Sequence, residues 1–343
     1  MVGNINRDYY EFDTVIVNES GQEIRRERGR AEFFIEDLEN NTLLEIVSIP
    51  AGNFLMGVHP EEITKWRRIS RRKRGDNFLG KIYNDLNIDA LDDVFANNDD
   101  ASMQGVGSSH RVTLPSFCIS KFPITQAQWL AVTLLPQVNL TLNPQPSHFK
   151  GANLPVECVS FYEAVEFCNR LSQKTGKTYR LPTESEWEYA CRAGTTTSFH
   201  FGETITTDLA NYNGSYYTYN FESTGKYLQQ TTPVGSYGVA NAFGLYDMHG
   251  NVSEWCQDNL NSTPYKGAPT DGSAWIYQTD TSPSFFLTNF LESLMENMFE
   301  NPKYHVSRGG SWKNDVFGVT SWQRRGLNPD NKQNFIGFRV VQA

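Results

Sequence analysis

Two carboxylates in the C-terminal half of the sequence stand at a spacing that could bind a hard cation. Asp247 and Glu254 bracket a Gly-Asn turn in the stretch GLYDMHGNVSEW. A mixture of carboxylate and backbone carbonyl oxygens is what Ca²⁺ prefers in proteins. A plain turn, in which the Asp247 side chain hydrogen-bonds to nearby backbone, would use the same residues. The spacing alone leaves both interpretations open.

The common catalytic motifs are absent from the sequence. It contains no GxxxxGK[ST], GxSxG or HExxH motif and no dinucleotide-binding fingerprint after a strand. Its six histidines are scattered, so residues such as His200 and His249 are expected to be structural. The five cysteines are widely spaced and form no CxxC pair, which favours buried thiols in a reducing compartment over a zinc site or a disulfide framework.

Length and composition indicate a globular protein. The 343 residues could form two average domains or one large domain rich in loops. A hydrophobic content of 39% and an aromatic content of 13% support a packed core. The formal net charge of −9 argues against nucleic acid as a general partner, because phosphate binding depends on Lys and Arg.

One strongly basic stretch departs from this acidic balance. Seven of the ten residues from Lys65 to Arg74 are basic, and the acidic stretch from Asp85 to Asp100 follows closely. Such opposite runs predict a self-neutralising, solvated insertion. The alternative is a patch that docks an anionic partner.

The N-terminal region suggests neither export nor a membrane span. The start has no basic and apolar signal pattern, and no stretch approaches 18 consecutive apolar residues, so we expect a cytoplasmic protein. The run from Asp13 to Glu23 predicts a hairpin outside the main body, within an extension over residues 1–42. The main domain is expected over 43–343, with insertions at about 59–108 and 280–303.

Capping residues mark three helices in the first two thirds of the chain. Thr125 is predicted to cap a helix beginning TQAQWLAV, and Ser160 with Glu163 to form a capping box for a helix that ends at Gly176. A third helix is predicted to start at Pro182 and to stop at Gly194.

Regular periodicity becomes rare after Gly194. Gly, Asn, Ser, Thr and Tyr dominate this part, and the helical pattern from Phe285 to Pro302 is the exception. A long irregular region in a compact domain usually serves a function.

Several ordered motifs resemble the formylglycine-generating enzyme (sulfatase-modifying factor) family. They are IPAGNFLMG, HRVTLPSFCISKFPITQAQW, LPVECVSFYEAVEFCNRLS, YRLPTESEWEYACRAGT, NAFGLYDMHGNVSEW, RGGSW and IGFRVV, and they extend from about Leu43 to Val341. The resemblance implies an α+β, C-type-lectin-like fold with little regular structure and long ordered loops. It also implies a structural Ca²⁺ held by the side chains of Asp247 and Glu254 and the carbonyls of Gly250 and Val252.

The residues that would carry the family's oxidative chemistry are missing. In enzymes of the family that this chain resembles, a cysteine pair lies between RGGSW and the NPD-like turn. Those thiolates bind copper(I) while a substrate cysteine is oxidised to formylglycine. Thiolates suit that soft ion. No cysteine lies between Trp312 and Phe338, where the family position falls around Val319 to Ser321. Copper is therefore not expected, and the HxxxHxE cluster of the related sulfoxide synthases is also absent.

The family also includes variable proteins of diversity-generating retroelements, whose C-terminal segment is diversified at adenine-rich codons. Asp315, Phe317, Gly318 and Val319 are types that can arise from Asn codons by changes at adenines. Exposed aromatic and Arg side chains would make a good recognition surface. The predicted ligand-binding residues are Lys313, Asp315, Phe317, Val319, Trp322, Arg324, Arg325, Leu327 and Phe335. The alternative is that some of these aromatic residues are buried.

Two hypotheses from different classes follow. The first is a non-enzymatic, calcium-stabilised protein whose C-terminal segment, Lys313 to Phe335, binds a protein ligand. The second is a formylglycine-generating-enzyme-like oxidoreductase with altered cofactor chemistry, using residues such as Arg339 and Trp312 in the old pocket.

Overall fold

The computed structural model describes residues 8–58, 62, 109–215, 225–261, 265, 267–276 and 304–343. The basic stretch Lys65 to Arg74, most of the insertion at 59–108 and the helix predicted from Phe285 to Pro302 lie outside the described residues.

Twelve strands and three helices form the described part of the chain. The strands are β1 (Asp8–Val17), β2 (Glu23–Asp37), β3 (Leu43–Ile49), β4 (Gly52–Gly57), β5 (Ser109–Leu114), β6 (Phe117–Ser120), β7 (Tyr179–Arg180), β8 (Ser253–Asn259), β9 (His305–Arg308), β10 (Arg324–Leu327), β11 (Ile336–Gly337) and β12 (Val341–Gln342). The helices are α1 (Gln126–Thr133), α2 (Phe161–Thr175) and α3 (Glu184–Arg192). Phe317–Val319 forms a single 3₁₀ turn.

The strands form three small sheets. A six-stranded sheet has the order β1-β2-β3-β6-β12-β7, and a four-stranded sheet has the order β10-β9-β8-β11. In the second sheet β11 runs parallel to β8, whereas β9 pairs antiparallel with both β8 and β10. Strands β4 and β5 form a separate antiparallel pair. Strands β3 and β12, which hold the two ends of the family-like region, lie on either side of β6 in the first sheet.

The predicted N-terminal hairpin is present and joins the main sheet. Strands β1 and β2 pair along almost their whole length, and β2 then pairs with β3 in a register that places Phe33 opposite Val47. Phe12 and Phe34 are buried in the core clusters. The sheet thus continues across the predicted boundary at residue 42, and the division into two domains there stays a prediction.

All three helices begin with capping boxes. Thr125 and Ser160 cap α1 and α2 as predicted, and α2 ends with Gly176 in the left-handed conformation. The start predicted for α3 at Pro182 is wrong by two residues. The Thr183 hydroxyl accepts the Glu186 N–H at 3.1 Å and the Glu186 carboxylate accepts the Thr183 N–H at 2.8 Å, so Thr183 is the N-cap.

The core lies between the helices and the sheets. On α2, Phe167, Cys168 and Leu171 are buried, and the Phe167 ring stacks on Trp129 of α1 with a centroid distance of 5.8 Å. In the described ranges, no helix is long and apolar enough to span a membrane.

Candidate functional site

The C-terminal segment folds back on itself immediately after β9. Gly309 and Gly310 both have left-handed backbone conformations, with φ of 84° and 63°. A Cβ at Gly310 would lie 2.1 Å from the carbonyl oxygen of Gly318, so the close approach of these two loops requires glycine. The glycine pair in RGGSW therefore lets the loop pack against the 3₁₀ turn.

Asp315 stabilises that turn with its side chain. One carboxylate oxygen accepts the N–H of Phe317 at 3.1 Å and the N–H of Gly318 at 3.2 Å. This is the usual way in which Asp satisfies the free amides at the start of a turn. Asp315, predicted as a contact residue, thus also has a structural task.

Val319 occupies the region where the resemblance places a family cysteine, and it is 0% exposed. Its carbonyl oxygen lies 2.7 Å from Nδ1 of His249, which must carry the proton because a carbonyl can only accept. Nε2 of His249 in turn accepts the backbone N–H of His200 at 3.2 Å. Both ring nitrogens of His249 are therefore satisfied inside the protein.

Burial keeps both histidines neutral. It lowers the pKa of His249 to about 4, because the apolar surroundings disfavour the imidazolium ion. Burial also lowers the pKa of His200 well below its usual range, and His249 adds to that effect. The rings of His200 and His249 stack with centroids 4.7 Å apart, and within the described residues the ring nitrogens of His200 have no hydrogen-bond partner. Sequence reasoning treated the two residues as unrelated.

Cys191 approaches this segment in space. Its Sγ lies 3.8 Å from Nε2 of His249, and its thiol also interacts with the side chain of Ser321. Burial raises the pKa of Cys191 to about 12, so the group stays a thiol near neutral pH. Nothing in the sequence motifs marked Cys191 as a neighbour of this segment.

Arg324 is buried rather than exposed, which corrects its expected place on the surface. It is 2% exposed, and its guanidinium pairs with Glu184 of α3 at 2.7 Å. Arg308 pairs with Glu184 at 2.7 Å and with Glu188 at 2.8 Å. Two buried carboxylates on one helix therefore hold one arginine from each of β9 and β10.

Trp322, Leu327 and Val319 are also buried, so the expectation that these side chains face solvent is wrong. Trp322 is 5% exposed and packs in a cluster with Val15 of β1 and Phe199. Leu327 is 6% exposed and belongs to the core cluster that includes α2. The segment has no regular spacing of apolar residues, so its sequence pattern does not predict which side chains are buried against the scaffold.

The remaining predicted contact residues reach the surface. Lys313 and Arg325 are exposed, while Asp315, Phe317 and Phe335 are half-buried. The Lys313 ammonium lies 5.4 Å from the centroid of the Phe335 ring, within the range of a cation–π contact.

The predicted calcium loop carries one buried carboxylate, Glu254, and one half-buried carboxylate, Asp247. The Glu254 carboxylate is 0% exposed and accepts from Trp187 Nε1 at 2.7 Å and from Arg339 at 2.6 and 2.9 Å. Asp247 has a φ of 55° and accepts the Gly235 N–H at 2.7 Å. Burial raises the pKa of Asp247 to about 6, and the charge of Glu254 adds to this while Arg339 opposes it.

This charge balance fits a bound cation. The Arg339 guanidinium hydrogen-bonds the buried Glu254 carboxylate, whereas no salt bridge among the described residues joins a cation to the half-buried Asp247, so one negative charge lacks a paired cation when both acids are ionised. Within the described ranges no group of three His, Cys, Asp or Glu residues could hold a metal, so a cation here would need backbone oxygens as well. The carbonyls of Gly250 and Val252 are oxygens of the type that Ca²⁺ accepts.

Small mixed sheets, three short helices and long ordered loops together define a C-type-lectin-like α+β protein. The sequence matches the Sulfatase-modifying factor enzyme 1-like domain over residues 33–343. The chain therefore belongs to the formylglycine-generating enzyme (sulfatase-modifying factor) family, as its motifs predicted. The match begins inside β2, before the boundary expected at residue 43.

Individual relatives agree with this assignment. The chain is 31% identical to the formylglycine-generating enzyme of Mus musculus over 318 residues, covering 87% of this chain and 75% of that protein. It resembles the structure of PvdO from Pseudomonas aeruginosa with a TM-score of 0.60 and 27% identity, covering 90% of this chain and 97% of the other. Some curated relatives are much longer, and the chain spans only 24% to 34% of their length.

A variable protein shares the fold. The structure of Treponema denticola variable protein 1 superposes with a TM-score of 0.55 and 21% identity, covering 90% of this chain and 98% of that one. This likeness concerns the fold alone.

Proposed function

We propose that this protein binds a ligand without acting on it chemically, and that its C-terminal segment forms the recognition surface. The observation that carries the proposal is the burial of Val319, Thr320 and Ser321, all 0% exposed, where relatives would hold their reactive cysteines. A thiolate that oxidises a substrate must meet both the substrate and dioxygen. In this chain the equivalent backbone is held in the interior by His249.

Arg339 and Trp312, which an altered enzyme would use, make structural contacts instead. Arg339 is 0% exposed. Its guanidinium donates to the Glu254 carboxylate and to the backbone carbonyls of Ser120 and Tyr246. Trp312 is 7% exposed and donates its indole N–H to the carbonyl of Asn334 at 3.0 Å. An oxidoreductase with altered cofactor chemistry would therefore have to displace structural contacts.

The recognition surface consists of Lys313, Phe317, Arg325 and Phe335, with Asp315 at its turn. Aromatic and arginine side chains carry much of the binding energy at protein interfaces, so a protein ligand suits this set. Phe317 packs against the cluster that contains the buried Trp322, and Phe335 packs against the cluster that contains the buried Leu327. A surface held in this way loses little conformational entropy on binding.

Calcium is proposed as the cation of the loop from Asp247 to Glu254. Asp247 and Glu254 would contribute carboxylate oxygens, and Gly250 and Val252 would contribute carbonyls. When bound, Ca²⁺ would neutralise the excess negative charge between the two acids. Its role in this proposal is structural.

A selection experiment tests the binding function. A random peptide library displayed on phage is selected on the immobilised full chain and counter-selected on the variant Phe317→Ala/Arg325→Ala/Phe335→Ala. Peptides that bind the wild type at least about tenfold more tightly than the variant support the proposal. If every selected peptide binds both proteins equally, the recognition surface is refuted.

A direct assay tests the enzymatic alternative. The protein is incubated with copper(I), dioxygen and a cysteine-containing peptide, and the aldehyde of formylglycine is sought by mass spectrometry. Copper-dependent aldehyde formation would refute the non-enzymatic proposal. We expect the peptide to be recovered unchanged while a family enzyme in the same buffer converts it.

Genomic context tests diversification. The DNA flanking the coding sequence is searched for a near-copy of the part encoding Gly309 to Arg339 beside a reverse transcriptase. A copy that differs mainly at adenines would identify the segment as a diversified binding site. Without such a copy the segment is a fixed surface.

A further inference from the structure

A second group of aromatic side chains adjoins the recognition surface but comes mostly from outside the C-terminal segment. The Trp312 ring stacks on Tyr227 with centroids 6.2 Å apart and meets the edge of Phe149 at 5.7 Å. Trp312 forms the buried floor, whereas Tyr227 and Phe149 are half-buried walls. We call these three residues the aromatic platform.

Hydrogen bonds hold Trp312 and Phe149 of the platform in place. The backbone N–H of Trp312 donates to Asn251 at 3.1 Å, and its indole N–H donates to Asn334. The backbone N–H of Phe149 donates to the buried carboxylate of Glu157 at 2.8 Å. Aromatic side chains that are fixed before binding contribute contact area at a low entropic cost.

Two exposed lysines adjoin the platform in the sequence. Lys150 follows Phe149 and Lys313 follows Trp312, and both are exposed. In the described ranges neither ammonium pairs with a carboxylate: Lys150 donates to the Gln145 carbonyl at 3.2 Å, and Lys313 lies over Phe335. Lys226, next to Tyr227, is already paired with Asp208 at 2.8 Å.

This local surplus contrasts with the net charge of −9 for the whole chain. Complementary charges steer partners and set their orientation at interfaces. An anionic partner would be repelled by most of this protein and attracted at this place. Nucleic acid also combines bases that stack with phosphates, but a footprint of two lysines on an acidic protein is small for a polyanion.

We infer that the aromatic platform, with Lys150 and Lys313 at its rim, binds an acidic protein segment in which carboxylates flank an aromatic side chain. The aromatic side chain of the partner would pack against Tyr227 and Phe149, and its carboxylates would meet the two ammonium groups. This inference rests on the proposed function and names the chemical class of its ligand.

The experiment uses the full chain and three synthetic peptides of equal length. One has a central Tyr flanked by Glu residues, the second has Gln in place of each Glu, and the third has Ala in place of Tyr. Binding is measured by fluorescence anisotropy against wild type, Lys150→Glu/Lys313→Glu and Tyr227→Ala. The matched control is Arg25→Glu/Arg30→Glu on β2, which makes the same change in net charge at other exposed positions.

The Glu-Tyr peptide is expected to bind most tightly, and binding to Lys150→Glu/Lys313→Glu should be weaker by about tenfold or more. The β2 control should bind within about twofold of wild type, and binding should weaken as salt rises. Equal binding of all three peptides to the wild type, or equal loss in the two charge-reversal variants, would overturn the inference. So would tighter binding of a single-stranded oligonucleotide of the same charge.

Failure of this inference is distinguishable from failure of the proposed function. Library-selected peptides that depend on Phe317, Arg325 and Phe335 but tolerate Lys150→Glu/Lys313→Glu would refute the platform and leave the recognition surface in place. Peptides that tolerate every one of these variants would refute both.

Discussion

Nδ1 of His249 donates a hydrogen bond of 2.7 Å to the carbonyl oxygen of Val319, joining the predicted calcium loop to the predicted recognition segment. The contact spans 70 positions in the sequence and is fully buried. It fixes the backbone at Val319, the last residue of the 3₁₀ turn, so this contact ties the C-terminal segment to the scaffold.

Replacement of His249 should destabilise the fold. His249→Ala removes the bond to Val319, leaves the His200 N–H without its acceptor and opens a cavity, so we expect a loss of about 3 kcal/mol in the free energy of unfolding. Urea unfolding followed by circular dichroism measures it. The control His148→Ala alters an exposed ring and should change little. A loss below about 0.5 kcal/mol for His249→Ala would contradict this account.

Calcium should stabilise the wild type through Asp247. Desolvation raises the pKa of Asp247 from the ordinary value of 3.8 to about 6, so the folded state keeps a proton that the unfolded chain releases. The stability that this proton contributes is lost as pH rises from 3.8 through 6. Near pH 7.5 without calcium, Asp247→Asn should therefore raise the free energy of unfolding by up to about 3 kcal/mol.

Thermal unfolding with calcium or with EGTA checks this. The wild type should melt at higher temperature with calcium, and Asp247→Asn should respond much less. The exposed substitution Asp330→Asn serves as the control and should keep the wild-type response. A calcium response that survives in Asp247→Asn would place the ion elsewhere.

Stability should fall as pH rises through neutrality because of Asp258. Burial raises the pKa of Asp258 to about 7, and Glu184 adds to the shift. The folded state therefore holds a proton that the unfolded chain has released, and this contribution disappears as pH rises through 7. Unfolding free energies between pH 6 and 8.5 measure the slope. Asp258→Asn should flatten it, and an equally steep slope in that variant would refute the assignment.

A buried and an exposed residue of the C-terminal segment should differ in their effect on the free energy of unfolding. Trp322→Ala should cost about 3 to 5 kcal/mol, because it empties a packed site against Val15 and Phe199. Arg325→Ala removes an exposed side chain and should change stability by less than about 0.5 kcal/mol. Urea unfolding compares the two variants. If Arg325→Ala proved the more destabilising, the observed burial of the segment would be wrong.

Local sequence signals predicted the scaffold well. Thr125, Ser160 and Glu163 cap helices where their side chains can reach free amides within three residues, and Gly176 ends α2 because it adopts a left-handed conformation. The stretches that start at Leu43 and near His110, in which apolar residues alternate, form β3 to β6. These features depend on contacts between near neighbours, so the residue types alone carry them.

By itself the sequence determined the family, the order of its motifs and the absence of cysteine from the segment between Trp312 and Phe338. Only the tertiary structure decided which side chains of that segment face solvent. Arg324 is buried because it pairs at 2.7 Å with Glu184, a residue 140 positions away in the chain. Val319 is held in the interior because His249, from another loop, hydrogen-bonds its carbonyl oxygen. A segment without periodicity has no local rule for burial, so long-range partners determine its orientation.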